Sequence, residues 1–125
     1  MVVKMLIKPS RWTEEDIKET QCKVWYIIKA LQNNNYNKKI TFEDLIWVIS
    51  KLNTYLFDKY LISGINVEVF NMIEFDNIIS ARLYKPKGMS SDNCMQYLSE
   101  VEIYTIDKLA KHWKIYAKYL INLKK

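Results

Sequence analysis

The sequence predicts an all-α fold: a compact single-domain bundle of four to five helices around a central buried helix at about 41–62. Three observations predict it. Only two glycines (Gly64, Gly88) and two prolines (Pro9, Pro86) interrupt 125 residues, too few breakers for the many turns of an all-β chain. Half of the residues are apolar, which excludes a disordered chain, and the length suffices for one core. Apolar positions then recur at helical spacing through most of the chain.

Taken in order, residues 2–7 (VVKMLI) are β-branched and apolar and stop before Lys8-Pro9. They predict a short strand or a docking arm, because the residue before a proline is pushed out of the helical region. The first helix begins after Thr13. Thr13 and Asp16 form a capping box, Trp12 can staple to Ile17, and Glu14, Glu15 and Asp16 suit the positive end of the helix dipole. Ile17, Val24, Ile28 and Leu31 make one buried stripe, and the polar run from Asn33 to Asn37 ends the helix.

The stretch Ile40–Ile62 carries the strongest signal. At about 100° per residue, Leu45, Val48, Ile49, Leu52, Leu56 and Tyr60 share one face. Ile46, Trp47, Phe57 and Leu61 fall on the flanks and far side. A helix that is apolar on several sides is enclosed by partners, which places this one at the centre. Thr41 and Asp44 repeat the capping box, with Ile40 stapling to Leu45. Gly64 is expected in the left-handed conformation that closes the helix, with Ile65 packing back onto Tyr60. Asn66 then caps the next element.

A third helix is expected over about 67–84 from Val69, Met72, Ile79 and Leu83, although Asn66–Phe70 and Asn77–Ser80 also fit strands. Lys85-Pro86-Lys87-Gly88 reads as a type I turn. Ser90, Ser91 or Asp92 opens a fourth helix through Met95 and Leu98. Val101–Tyr104 breaks the pattern, and Thr105 can cap a last helix. Its stripe is Ile106, Leu109, Trp113, Tyr116, Leu120 and Leu123. No second domain is read.

Motifs for chemistry are scarce. The single histidine, His112, has no Cys, Asp or Glu one turn away, whereas a zinc site needs about four such ligands. Two isolated glycines make neither a phosphate loop nor a dinucleotide fingerprint. No serine is marked as an activated nucleophile. No cofactor, metal or small-molecule substrate is expected, and a non-enzymatic role is favoured. No run reaches 18 apolar residues, so no membrane span is read. The first residues lack a small-residue cleavage site, so no signal peptide is read and an intracellular location is expected. Cys22 and Cys94, far apart in the chain, are then expected as free thiols.

Charge is more informative. The net charge is +5. Residues 1–41 carry eight basic and four acidic groups, and residues 105–125 carry six and one. Residues 42–84 carry three and six, and 85–104 two and three, so the middle is acidic. Lys18, Lys23 and Lys29 are expected on the solvent side of the first helix, with Tyr26 and Cys22 among them. Lys111, Lys114, Lys118 and Lys125 stripe the last helix beside Tyr119. Lysines interleaved with an aromatic side chain can hold phosphates and stack a base. The plainer alternative is the solvated lysine face of any amphipathic helix.

The resulting expectation is a small basic helical protein that binds nucleic acid or a nucleoprotein complex. Viral and mobile-element accessory factors fill such roles, and the abundance of Asn, Ile, Lys and Tyr fits the AT-rich genomes in which they are common. The alternative is an interaction or structural subunit that self-assembles, its basic terminal helices meeting the acidic middle of the next copy. Such contacts are heterologous and build rings or filaments.

Overall fold

Two Thr-x-x-Asp boxes set the starts of the two long helices that open the bundle. The computed structural model of the chain describes residues 13–34, 40–72, 85–86 and 88–123, without the side chains of 71, 72 and 114–123. Among these residues the fold is all-α, with five helices and no strand. Helix α1 (Glu14–Asn33) starts at Thr13, whose Oγ1 accepts the Asp16 N–H at 3.1 Å while Asp16 Oδ2 accepts the Thr13 N–H at 2.9 Å. It ends in the polar run as expected, where Asn34 Nδ2 donates to the carbonyl of Ala30 at 2.8 Å. Helix α2 (Phe42–Tyr60) repeats the box at Thr41 and Asp44, with bonds of 3.1 and 2.8 Å. Each box satisfies two backbone donors that a bare helix start would leave open.

The closure of α2 differs from the expectation. Leu61, not Gly64, takes the left-handed conformation, at φ 57°, and its N–H returns to Leu56 and Phe57. Gly64 serves another need: a Cβ there would lie 2.0 Å from Asn53 Oδ1. The missing side chain lets Asn53 clamp Ile65, accepting its N–H at 2.8 Å and donating to its carbonyl at 2.9 Å. Ile65 is thereby fixed in the core. Asn66 caps α3 (Val67–Met72) as expected, its Oδ1 accepting the Val69 N–H at 3.1 Å. Val69 and Phe70 turn inward, which settles 67–72 as helix rather than strand.

The turn before α4 (Ser91–Met95) is shifted by one residue. Met89 N–H bonds Pro86 O at 3.1 Å, so Pro86 is first and Gly88 third, with φ +81°. A positive φ is a backbone conformation that L side chains rarely adopt, so glycine suits this position. Ser90 caps α4. The last helix, α5 (Glu100–Leu123), starts earlier than expected and runs through Val101–Tyr104 without a break. Its start is a capping box at Ser99 and Glu102, with bonds of 2.8 and 3.2 Å. Thr105 is therefore no cap. It is buried inside the helix and donates its hydroxyl to Val101 O at 2.8 Å.

Helix α1 packs against each of the other four, and α2 against α5. Val24, Ile28, Leu45, Val48, Ile49, Leu52, Leu56, Ile106 and Trp113 share one core. Helix α2 contributes its expected face except Tyr60, which is 40% exposed, and its far side stays open at Phe57 (61%) and Leu61 (80%). Its enclosure on several sides is thus limited, and α1, with nine buried residues against five, is the more enclosed helix. The expected strand or arm at 2–7, the Trp12 staple, the continuation of α3 to 84, and Lys125 all lie outside the described residues.

Candidate functional site

Helix α1 does not present the expected lysine-and-tyrosine stripe, because α3, α4 and α5 cover much of its circumference. Lys18 is exposed, as expected. Lys23 is not on the solvent side: it is buried, with Nζ 2.8 Å from Glu19 Oε2 and 2.6 Å from Glu102 Oε2. Burial alone would lower its pKa, but the hydrogen bonds of Glu102 and Glu19 outweigh this and hold it above the ordinary value. Cys22 is fully buried. Tyr26 is half-buried and donates its hydroxyl to Asp107 Oδ1 at 2.8 Å. Burial and that carboxylate push its pKa up to about 12. Lys29 is half-buried, its ammonium 5.3 Å from the ring centre of Trp25. Lys85 adds a second ammonium 5.9 Å from the same ring, and bonds Ser91 Oγ. With Trp25 only 2% exposed, that ring has no free face to offer a base.

On α5, Lys111 is exposed as expected, and so is His112. Lys114, Lys118 and Tyr119 lie along the same helix, beyond the last described side chain.

A different basic surface forms where α2 packs on α5. Lys51, Tyr55 and Lys59 are spaced by four on α2, and Tyr104, Lys108 and Lys111 by four and three on α5, so each set shares a helix face. The two sets meet at Tyr55: Lys59 Nζ lies 5.6 Å and Lys108 Nζ 5.7 Å from its ring centre. The Tyr60 ring stands 6.1 Å away, tilted by 55°. Lys51, Lys59, Lys108 and Lys111 are all exposed, and Tyr104 is 59% exposed. Among the described residues, no ion pair neutralises these four lysines; the pairs formed there are those of Lys23. Two ammonium groups thus share one tyrosine ring while both lysines remain exposed to solvent.

Sequence reasoning missed this surface for two reasons. Residues 42–84 are net acidic, and α2 was expected to be enclosed. The pattern Lys-x3-Tyr-x3-Lys at 51–59 was the available signal. The acidic groups of the middle are partly committed elsewhere, Asp44 to its cap. A small polar pocket lined by Asp16, Glu19, Lys23 and Gly64 likewise holds carboxylates that already have partners. Among the described residues, no group of three or more His, Cys, Asp or Glu is placed to hold a metal ion, and no helix is long and apolar enough to cross a membrane. Compared with protein-family models, with curated proteins and with solved structures, the chain has no match.

Proposed function

We propose that the chain is a non-enzymatic nucleic-acid-binding protein, acting on nucleic acid alone or within a nucleoprotein complex, through the face formed by α2 and α5. The observation that carries this reading is the convergence of Lys59 and Lys108 on Tyr55, with Lys51, Lys111 and Tyr104 exposed around them. Exposed lysines on a surface shared by two packed helices hold phosphates, and each contact releases condensed counterions. Tyr104, with more than half its surface open, offers a stacking platform that any base can use. A surface of lysines favours backbone contact over base readout, so sequence preference is weak.

The test is fluorescence anisotropy with single- and double-stranded DNA and RNA over a salt series. The reading expects binding at low salt that weakens steeply as salt rises. Micromolar protein that leaves all four probes unbound at low salt defeats it.

A second reading, self-assembly or contact with a protein partner, draws on the exposed apolar residues Phe57, Leu61 and Ile62 at the end of α2. Sizing the protein without nucleic acid separates the two, since only self-assembly produces larger species from the protein alone.

A further inference from the structure

Apart from the main core, Cys22, Trp25 and Cys94 form a small buried cluster of their own. Cys22 is on α1 and Cys94 on α4, 72 residues apart, and both thiols are free and fully buried. Their sulfurs lie 3.0 Å apart, and Met89 Sδ is 4.0 Å from Cys22 Sγ. A disulfide needs an S–S separation of about 2.05 Å, so an approach of about 1 Å, within reach of two side-chain rotations, would join them.

We infer that Cys22 and Cys94 are a redox-closable staple: a pair held reduced in the resting fold and joined into a disulfide that ties α4 to α1 by exchange with a low-molecular-weight disulfide. The balance is closed. One thiol loses its proton and attacks a sulfur of the small disulfide, whose S–S bond breaks and releases one small thiolate. The second protein thiol then attacks the mixed disulfide, forms the Cys22–Cys94 bond and releases the second. The protein sulfurs lose two electrons, and the small disulfide is reduced to two thiols, which take up the two protons.

Local structure assigns the order of attack. Cys22 lies in the middle of the 20-residue α1, where burial and the neighbouring Cys94 push its thiol well up from its ordinary value. Cys94 sits on a helix of only five residues, between exposed Asn93 and half-buried Met95, so local opening of that short helix would uncover it first. An open depression of about 570 Å³, lined by Lys18, Met89, Asn93, Gln96 and Tyr97, adjoins the cluster and admits a small anionic disulfide beside the Lys18 ammonium. Closing the bond shortens the unfolded chain by a long loop, which is where a disulfide gains most.

The experiment uses the full reduced chain with oxidised glutathione under native conditions. Intact mass, a non-reducing peptide map and a melting curve are read. The expected result is the loss of two hydrogens, one linked peptide pair carrying Cys22 and Cys94, and a melting temperature several degrees higher. Dithiothreitol should reverse all three. Cys22→Ser should instead accumulate a single glutathione on Cys94 without any rise in melting temperature. The wild-type results decide the matter even if that variant folds poorly. Glutathione retained on both cysteines, chain-to-chain disulfides, or a link that forms only in denaturant would overturn the staple.

Discussion

Lys23 and Glu102 meet inside the bundle, Nζ to Oε2 at 2.6 Å, with each side chain only 6% exposed. Glu102 uses its other oxygen, Oε1, to accept the Ser99 N–H that starts α5. One carboxylate thus both caps a helix and neutralises the buried charge of another, fixing where α5 begins against α1. Removing it leaves the buried ammonium with Glu19 alone, a partner whose side chain is 46% exposed. We expect Glu102→Ala to cost up to about 3–5 kcal/mol, the range for breaking a buried pair from one side, because Glu19 still compensates part of the charge. Replacing both partners with apolar residues of similar size, Lys23→Met with Glu102→Leu, should recover much of that loss. Urea denaturation of the single and double variants checks this; a double variant as unstable as Glu102→Ala would show that the pair itself carries the stability.

The same region sets an alkaline limit. Lys23 holds its proton above its ordinary value of 10.5, and Tyr26, half-buried and bonded to Asp107, holds its proton up to about 12 against an ordinary 10.0. Both groups bind protons more tightly folded than unfolded, so their contribution is fully present below pH 10. It is lost as pH rises through the folded values, because the unfolded chain releases its protons first. Stability should therefore fall between pH 10 and about 12. Thermal melts across that window, with absorbance at the tyrosinate band, measure it. Tyr26→Phe should remove part of the fall.

What was legible in the sequence was local. Thr13 with Asp16, Thr41 with Asp44, and Asn66 announce helix starts within four residues of chain, and the structure places caps at all three. Ser99 and Glu102 obey the same rule but were hidden by the poor apolar pattern of Val101–Tyr104, which drew attention to a break that does not exist. Lys23 could not be read at all from its own neighbourhood. Its place depends on Glu102, 79 positions along the chain, and helical periodicity says nothing about which neighbouring helix covers a given face. The Tyr55 cluster was half legible, in Lys51, Tyr55 and Lys59, but Lys108 reaches it from another helix, which local spacing does not show.

The end of α2 offers a paired test. Leu61 is left-handed and 80% exposed, so its side chain contributes little packing while its Cβ opposes the backbone. Leu61→Gly should be neutral or stabilising by up to about 1 kcal/mol, the left-handed cost relieved less the added freedom of the unfolded chain. Gly64→Ala should cost about 1–3 kcal/mol, because the new Cβ displaces Asn53 and leaves the Ile65 backbone groups unpaired. In an Asn53→Ala background the same change should cost little, and this non-additivity is the signature of the clamp.

The two sides of α2 should respond very differently to truncation. Leu52 has no exposed surface and sits in the shared core, so Leu52→Ala should cost about 2–5 kcal/mol. Phe57→Ala, at a site 61% exposed, should stay within about 0.5 kcal/mol. Equal losses at both positions, by chemical denaturation, would mean that the outer side of α2 is covered in solution, and would raise the protein-contact reading.

For the proposed nucleic-acid face, the decisive quantity is the salt slope rather than the affinity. Each phosphate contact contributes about 0.9 to the slope of log K against log salt on duplex DNA and about 0.7 on single strands. Changing Lys59, Lys108 and Lys111 together to Gln should lower the duplex slope by up to about three, at those values per contact. Folding should hardly change, since all three side chains are exposed and form no ion pair among the described residues. Changing Lys18 and Lys29 instead should leave the slope nearly intact, because both lie on α1, outside the face formed by α2 and α5. Tyr104→Ala should cost about 1–3 kcal/mol on single strands and less on duplexes, where bases are already stacked. Anisotropy titrations at four or five salt concentrations give both numbers. An unchanged slope in the triple variant, with binding intact, would move the contact surface away from α2 and α5, with the distal lysines Lys114 and Lys118 of α5 the next to change.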